Sequence, residues 1–192
     1  MSSAGRTLQL TLAILKPNIV SHPHLVHQIK DRVHQHGFLF IRSKRMHLTQ
    51  SRVEEFYREH EGKFFYNRLV SFMSSGPIST HILARENAIA EWRKLMGPTK
   101  VFKTIYEEPD SIRGRYGLTD TRNSTHGSDS DETALKEMNF FFPEFNVSDW
   151  YTECEKQFLN KNAVYFDEDH DVHRYIIPNK NLNANLDTST SI

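Results

Sequence analysis

The sequence predicts an α+β domain in which helices cover an antiparallel sheet. Two observations support this prediction. Short alternating or continuous apolar runs, typical of strands, take turns with segments whose apolar residues recur every three or four positions, as in helices. Read along the chain, the order is strand, helix, strand, helices, strand, helix, long loop, short strand and helix, which suits such a sheet.

The first strand and the first helix show the two kinds of period. Apolar residues alternate with polar or small ones over Leu8–Ile14, and Lys16 and Pro17 end this strand. Pro23 opens a helix that Gly37 closes. The apolar stripe of this helix consists of Leu25, Ile29 and Val33.

The second strand begins at Phe38 and continues in a more polar form to about Leu48. Ser51 and Glu54 then match the capping-box pattern, which predicts the start of a helix. A second helical piece follows over residues 64–73. The chain therefore places two helices between its second and third strands.

The third strand, over residues 78–84, leads into a helix that Asn87 caps and Gly97 terminates. Periodicity fades over residues 98–125, which predicts a long loop, and such loops are often functional. A short strand is expected near His126.

A final helix starts at Ser130 or Asp131, where acidic side chains favour a first turn, and it ends at Pro143. Its apolar residues are Leu135, Met138 and Phe142.

Three parts of the chain are predicted: a short N-terminal arm over residues 1–7, a domain over 8–158 and a C-terminal extension over 159–192. The apolar runs around residues 164–177 have two interpretations, a weak hairpin or an irregular appended segment. The tail after about residue 178 is rich in Asn, Ser and Thr and is expected to be disordered.

Composition argues against several classes of protein and site. Lys and Arg together number 24, as do Asp and Glu, so no global field favours nucleic acid or a membrane surface. Cys154 is the only cysteine, which rules out an intrachain disulfide and argues against a cysteine zinc site. No apolar run has the length of a membrane span, and the N-terminus shows no long cleavable presequence.

The strongest candidate for chemistry is His126, within Arg-Asn-Ser-Thr-His-Gly-Ser-Asp at residues 122–129. Imidazole can accept a phosphoryl group and pass it on near neutral pH. We interpret Gly127 as leaving room for a bulky ligand and Ser128 as able to orient a neighbour. A structured polar turn around a hydrogen-bonded histidine explains these eight residues, taken alone, about equally well.

Glu137 and Lys16 are candidate helpers of His126. Helical side chains tilt toward the N-terminus, so the Glu137 carboxylate can point back at the imidazole. A carboxylate bound to one ring nitrogen would leave the other nitrogen as the nucleophile. The alternatives are an exposed helix residue for Glu137, and for Lys16 a solvated strand end rather than a ligand of phosphate or ribose.

Two further groups of residues suit a phosphorylated ligand with an aromatic part. Arg93, Thr99 and Arg113 surround the long loop, and their side chains match phosphate oxygens, although loop arginines also commonly face solvent or pair with carboxylates. Phe65 and Leu69 lie one helical turn apart, either as a core stripe or as a rim that stacks on a nucleobase.

Taken together, ordered motifs over about residues 8–145 resemble the nucleoside diphosphate kinase family. They are AILKP at 13–17, YREHEGK at 57–63, SGP at 75–77, IRG at 112–114 and NSTHGSD at 123–129. A divergent branch of that family is similar also in GKFFY at 62–66, MGPT at 96–99 and LTDTRN at 118–123. The resemblance implies a ferredoxin-like fold with a four-stranded antiparallel sheet.

The resemblance also implies an activity and a set of site residues. The activity is Mg²⁺-dependent, ping-pong transfer of the γ-phosphoryl group from a nucleoside triphosphate to a nucleoside diphosphate, through phosphorylated His126. Glu137 and Ser128 would orient His126, and Mg²⁺ would be held mainly by substrate phosphates, with no protein metal ligand. The implied nucleotide ligands are Lys16, Tyr57, Phe65, Leu69, Arg93, Thr99, Arg113 and Asn123.

The resemblance leaves assembly, partners and location open. Residues 100–111 are longer than the usual family loop and the C-terminus is extended, so a homo-oligomer, a smaller assembly and a complex with a protein partner are alternatives. The alternative function is a nucleotide-binding regulatory protein with weak or no kinase activity. A nucleic-acid-binding domain lacks a basic face, and no membrane partner is expected. The divergent branch implies a mitochondrial location, with the cytoplasm as the alternative.

Overall fold

A four-stranded antiparallel sheet forms the centre of the protein, in the order β2-β3-β1-β4. The computed structural model describes residues 7–176. The strands are β1 (Gln9–Leu15), β2 (Leu39–Met46), β3 (Ile78–Arg85) and β4 (Thr125–Gly127). β1 pairs with β3 along its whole length, and its other edge pairs with β4, where His126 lies opposite Ile14. The predicted antiparallel sheet and its ferredoxin-like class are confirmed.

Helices cover both faces of this sheet. In chain order they are α1 (Pro17–Val20), α2 (Pro23–Gln35), α3 (Gln50–Phe56), α4 (Tyr66–Met73), α5 (Ala88–Met96), α6 (Val101–Glu107), α7 (Ile112–Tyr116), α8 (Asp131–Phe141), α9 (Val147–Asp149) and α10 (Glu155–Leu159). A π-helical turn over Trp150–Cys154 joins the last two. Within residues 7–176, no helix has the length and apolar character needed to cross a membrane.

Alternation along β1 supplies two separate cores. Leu12 and Ile14 enter one core together with Met138 of α8. Leu15, which points to the opposite face, packs in the second core with Trp92 of α5. Because β1 is central and buried on both faces, the residues that follow it are held in a fixed position.

Two predicted helix caps differ from the structure. Thr49, rather than Ser51, caps α3, because its hydroxyl accepts the Arg52 N–H at 3.4 Å. Asn87 precedes α5 as predicted, but it lies in the left-handed region (φ 53°) and its side chain makes no capping hydrogen bond. Ser130 does cap α8, since its hydroxyl accepts from the Thr133 N–H.

The stretch predicted as a long loop contains two short helices, α6 and α7. Val101 and Thr104 are the buried residues of α6, and Ile112 and Arg113 are those of α7. Two inward side chains per helix are too few to produce a visible 3.6-residue period. On α8, the apolar side chain of Leu135 lies outside the core and is 51% exposed.

The C-terminal extension forms the hairpin predicted as one alternative, with β5 (Val164–Asp167) and β6 (Val172–Tyr175). The hairpin docks on β2 through two hydrogen bonds: the Phe40 N–H donates to His173 Nδ1 at 2.8 Å, and the Ser43 hydroxyl donates to the Asp171 carbonyl at 2.6 Å. Lys30 of α2 adds an ion pair with Asp171 at 2.6 Å. The tail predicted to be disordered lies outside the described residues.

Replacing His173 with leucine is expected to destabilise the fold by about 1–3 kcal/mol, because the buried Phe40 N–H loses its acceptor. Burial lowers the pKa of His173 to about 4, so its Nδ1 is unprotonated and accepting at neutral pH. Urea unfolding measures the effect. The matched control is His170→Leu on the same hairpin: its exposed ring pairs with Asp167 at 2.9 Å, and because solvent-exposed pairs contribute little, the expected change is below about 1 kcal/mol. Equal effects of the two variants would contradict the assignment.

Candidate active site

His126 lies on β4, at the sheet edge farthest from the C-terminal hairpin. The chain enters β4 through Ser124, which is fully buried and has a positive φ of 72°. The Lys16 N–H donates to the Ser124 carbonyl at 2.9 Å, and the Trp92 indole donates to the His126 carbonyl at 3.2 Å. Backbone contacts therefore fix the segment that carries the imidazole.

Gly127 was predicted to leave room for a ligand, but in the structure it allows close packing of the core. A Cβ at this position would overlap the Trp92 indole and would lie 2.8 Å from the Met96 Cε. The space beside Gly127 is filled by the core rather than left free for a ligand, so the earlier interpretation was wrong. Glycine is needed here because α5 packs directly against β4.

A carboxylate holds one nitrogen of the His126 ring. Glu137 Oε1 lies 2.7 Å from His126 Nε2, and the side chains of these two residues are 16% and 21% exposed. The Ser128 hydroxyl donates to Glu137 Oε2 at 2.6 Å and accepts from the Leu12 N–H at 3.3 Å. Among the described residues, His126 Nδ1 has no hydrogen-bond partner. Glu137 therefore points back at the imidazole, as the tilt of helical side chains predicts.

A cleft of about 1370 Å³ opens beside His126. The predicted site residues that line it are Lys16, Tyr57, Phe65, Leu69, Thr99, Arg113, Asn123 and His126. Arg93 does not line this cleft; it borders a smaller pocket of about 370 Å³, which Thr99 and Arg113 also line. The fold thus brings together residues that are more than 100 positions apart in the sequence.

Two buried cations lie on the cleft wall. Lys16 is 5% exposed and its Nζ donates to Asn123 Oδ1 at 2.6 Å; burial, with a smaller effect from Arg113, lowers its pKa to about 7. Arg113 is 7% exposed and donates to the carbonyls of Gly97 at 2.7 Å and Thr125 at 3.0 Å. Neither cation forms an ion pair with a carboxylate in the part of the chain described. The charge of the Arg113 guanidinium, and the charge that Lys16 carries when protonated, are therefore available to an anionic ligand.

In the described part of the chain, three buried polar atoms of cleft residues have no hydrogen-bond partner: Tyr57 OH, Arg113 Nε and Thr125 Oγ1. Leaving such groups unpaired is costly in a protein interior. A polar, multiply charged ligand in the cleft would supply the missing partners. Burial also raises the pKa of Tyr57, and the nearby Glu137 adds to that shift, so Tyr57 is a neutral donor.

Sequence reasoning did not identify His60 as a candidate site residue, although this side chain lines the cleft. Its ring stacks on Tyr57 with centroids 6.0 Å apart and meets the edge of Phe65 at 5.5 Å. Burial, followed by the charge of Lys63, lowers its pKa, so it is uncharged at neutral pH. The sequence could have indicated His60 through its position, because it lies three residues after the candidate Tyr57 and five residues before the candidate Phe65.

Comparisons with known proteins agree with this arrangement. Residues 9–147 match the family model described as nucleoside diphosphate kinase. The chain is 50% identical to nucleoside diphosphate kinase 6 of Xenopus tropicalis, with 88% of this chain and 94% of that protein covered. It is 48% identical to nucleoside diphosphate kinase 6 of Homo sapiens, covering 88% and 90% of the two chains.

Two solved structures of nucleoside diphosphate kinases are also similar to this chain. The crystal structure of the Aquifex aeolicus nucleoside diphosphate kinase superposes with a TM-score of 0.67 at 36% identity, and covers 70% of this chain and 95% of its own. The enzyme of Encephalitozoon cuniculi superposes with a TM-score of 0.65 at 27% identity, and covers 70% and 88%. Sequence, sheet order and site geometry agree, and the chain belongs to the nucleoside diphosphate kinase family.

Proposed function

We propose that this protein is an active nucleoside diphosphate kinase, which passes the γ-phosphoryl group of a nucleoside triphosphate to a nucleoside diphosphate through His126. The single observation that carries the proposal is the arrangement of the two nitrogens of the His126 ring. One ring nitrogen is held by Glu137 at 2.7 Å, while the other has no hydrogen-bond partner within residues 7–176 and belongs to a residue that lines the cleft. A histidine held in this way has one defined tautomer and one free lone pair.

The chemistry takes two half-reactions. Glu137 accepts the hydrogen bond of the Nε2–H, so the lone pair of Nδ1 attacks the γ-phosphorus. The bond to the β-γ bridging oxygen breaks, and the nucleoside diphosphate leaves with that electron pair. Glu137 stabilises the positive charge of the phosphorylated ring. A second nucleoside diphosphate then attacks the same phosphorus, the P–N bond breaks, and its electron pair returns to Nδ1.

The remaining residues bind and position the nucleotide. Buried Lys16 and Arg113 would neutralise phosphate oxygens, with Thr99 and Arg93 contributing from the neighbouring pocket. Asn123 holds the Lys16 ammonium and reaches the ribose, while the Tyr57 hydroxyl donates into the cleft. Phe65 and Leu69 supply an apolar surface for the base; stacking without contacts to the base edge predicts tolerance of different bases.

The donor set of the cleft suits a magnesium ion that arrives with the nucleotide. Within residues 7–176, no cluster of three His, Cys, Asp or Glu side chains is arranged to hold a metal ion. The carboxylate that lines the cleft belongs to Asp120, and its Oδ1 already accepts the Val101 N–H at 3.0 Å. When bound, Mg²⁺ would be held mainly by the phosphates, where it neutralises charge on their oxygens.

The proposal is tested by phosphoryl exchange between ATP and GDP with Mg²⁺, with both concentrations varied. We expect GTP formation and parallel double-reciprocal lines, because the first product leaves before the second substrate binds. Intersecting lines would contradict the phosphohistidine route. ATP binding without GTP formation would instead support the alternative, a nucleotide-binding regulatory or partner-dependent protein, and mass measurement of the same sample would report any oligomer.

Nucleotide binding is expected to take up close to one proton per chain at about pH 8, where the phosphates are already deprotonated. In the free protein the pKa of Lys16 is lowered to about 7, so this side chain is largely neutral at that pH. Contact with phosphate raises its pKa, the complex binds more protons than the free protein, and affinity therefore falls as the pH rises above about 7.

Calorimetric titration with ADP in buffers of different ionisation enthalpy measures this uptake. Lys16→Arg is the control, because a guanidinium is charged throughout this range and should bind without proton uptake. Equal uptake in the two proteins would show that another group, not Lys16, takes the proton.

A further inference from the structure

One wall of the cleft is a row of aromatic rings that leads outward from His126. Successive ring centroids, from His126 through Tyr57, His60 and Phe65 to Phe64, are 6.0, 6.0, 5.5 and 5.4 Å apart. Beyond Tyr57 the rings become more exposed: Tyr57 is 4% exposed, His60 and Phe65 are half-buried, and Phe64 is 89% exposed. The wall therefore begins beside the reactive nitrogen and ends in solvent.

Phe64 lies beyond the position proposed for the base. If the phosphates meet Lys16 and Arg113 and the base stacks on Phe65, Phe64 is the next ring outward. The Arg68 guanidinium lies over the Phe64 ring, 5.7 Å from its centroid, and both residues line the cleft. This contact favours one orientation of the exposed ring.

A second set of exposed apolar side chains lines the same cleft. Phe102 and Ile105 of α6 are 59% and 39% exposed, and Leu118, after α7, is 65% exposed. Large apolar side chains left in solvent together commonly mark a binding surface. The cleft, at about 1370 Å³, also exceeds the 300–1,000 Å³ usual for a small-ligand pocket. A plain nucleoside diphosphate leaves this outer part unfilled.

We propose that the outer cleft, lined by Phe64, Phe102, Ile105 and Leu118, is a subsite for an apolar substituent on the nucleobase. The substrates it favours are nucleoside diphosphates that carry an aryl or alkyl group on the exocyclic amine of the base. This inference rests on the proposed function, since it needs the base on Phe65. The subsite is continuous with the nucleotide cleft, and these four side chains present apolar surface to such a group.

The test compares the binding of ADP and N6-benzyl-ADP by calorimetry, without turnover. We expect the benzyl nucleotide to bind the wild-type protein about tenfold more tightly than ADP. Phe64→Ser and Phe102→Ser should each remove most of that preference and leave ADP affinity within about twofold, because neither side chain is among those proposed to hold the base, ribose or phosphates. The matched control is Tyr106→Ser, since Tyr106 is 81% exposed on the same helix but does not line the cleft.

Four outcomes would overturn the inference. Binding of N6-benzyl-ADP no tighter than ADP removes the subsite and leaves the proposed function untouched, because phosphoryl transfer through His126 does not depend on the outer cleft. Equal effects of Phe102→Ser and Tyr106→Ser would show a general disturbance of α6. Light scattering that finds self-association abolished by Phe102→Ser would make this surface an interface between copies of the chain instead. If ADP itself fails to bind, the proposed function falls and the subsite with it.

Discussion

Replacing His126 with asparagine is expected to reduce phosphoryl transfer at least about a thousandfold, with ADP affinity kept within a few fold. Asparagine is polar and smaller than histidine, but it offers no nucleophilic lone pair. Among the cleft residues that the structure describes, one other imidazole is present, that of His60, and its ring is held differently. Its Nδ1 lies 3.2 Å from the Lys63 ammonium, and its Nε2 is 3.7 Å from Glu59, too far for the hydrogen bond that Glu137 makes.

Phosphoryl-exchange assays measure the loss of turnover, and calorimetry on the same preparation measures ADP affinity. His60→Asn is the matched control, because it removes an imidazole from the same cleft and should retain most of the turnover. Retention of more than about a tenth of the wild-type rate by His126→Asn would mean that another group carries the phosphoryl. Loss of ADP binding in the same variant would instead indicate a damaged site.

Replacing Glu137 with glutamine is expected to lower kcat by about 10²–10⁴ while KM for ATP changes little. The carboxylate accepts two hydrogen bonds, from His126 Nε2–H and from the Ser128 hydroxyl. A glutamine amide has one accepting oxygen, so in either orientation its NH₂ group faces one of these donors. The imidazole then loses its fixed tautomer or its charge partner, and Ser128 loses its acceptor.

The control is Glu132→Gln, an exposed glutamate on the same helix, which should leave kcat unchanged. Single-turnover labelling locates the defect, because a positioning role for Glu137 slows formation of the phosphorylated enzyme more than nucleotide binding. A Glu137→Gln variant with unchanged kcat would contradict the role proposed here for that carboxylate. A shift in KM alone would place Glu137 in binding rather than in chemistry.

The local sequence pattern predicted those helices and strands in which many buried apolar residues recur at regular spacing. β1 alternates over seven residues and α2 has a three-residue stripe, and both are present where the pattern placed them. The helices α6 and α7 were missed because each buries two residues. The cap of α3 was predicted at Ser51 and lies at Thr49. Both residues carry a hydroxyl group and they are two positions apart, so the sequence alone does not show which of them caps the helix.

The site was less predictable, because its geometry depends on tertiary structure. Pairing of Ile14 with His126 brings Lys16 next to Asn123, and no spacing rule connects positions 107 residues apart. Tyr57 and Asn123 entered through family resemblance rather than through local pattern. Gly127 was interpreted for the wrong reason because Trp92, which fills the space beside it, lies 35 residues earlier in the sequence.

The most direct test of the account is to locate the phosphoryl group on the protein itself. Wild-type protein incubated with γ-labelled ATP and Mg²⁺ is expected to take up close to one phosphoryl group per chain, acid-labile and base-stable, on Nδ1 of His126. Addition of GDP should discharge that label as GTP. Label on a serine or threonine, label that GDP does not remove, or no label on protein that binds ATP would contradict the account.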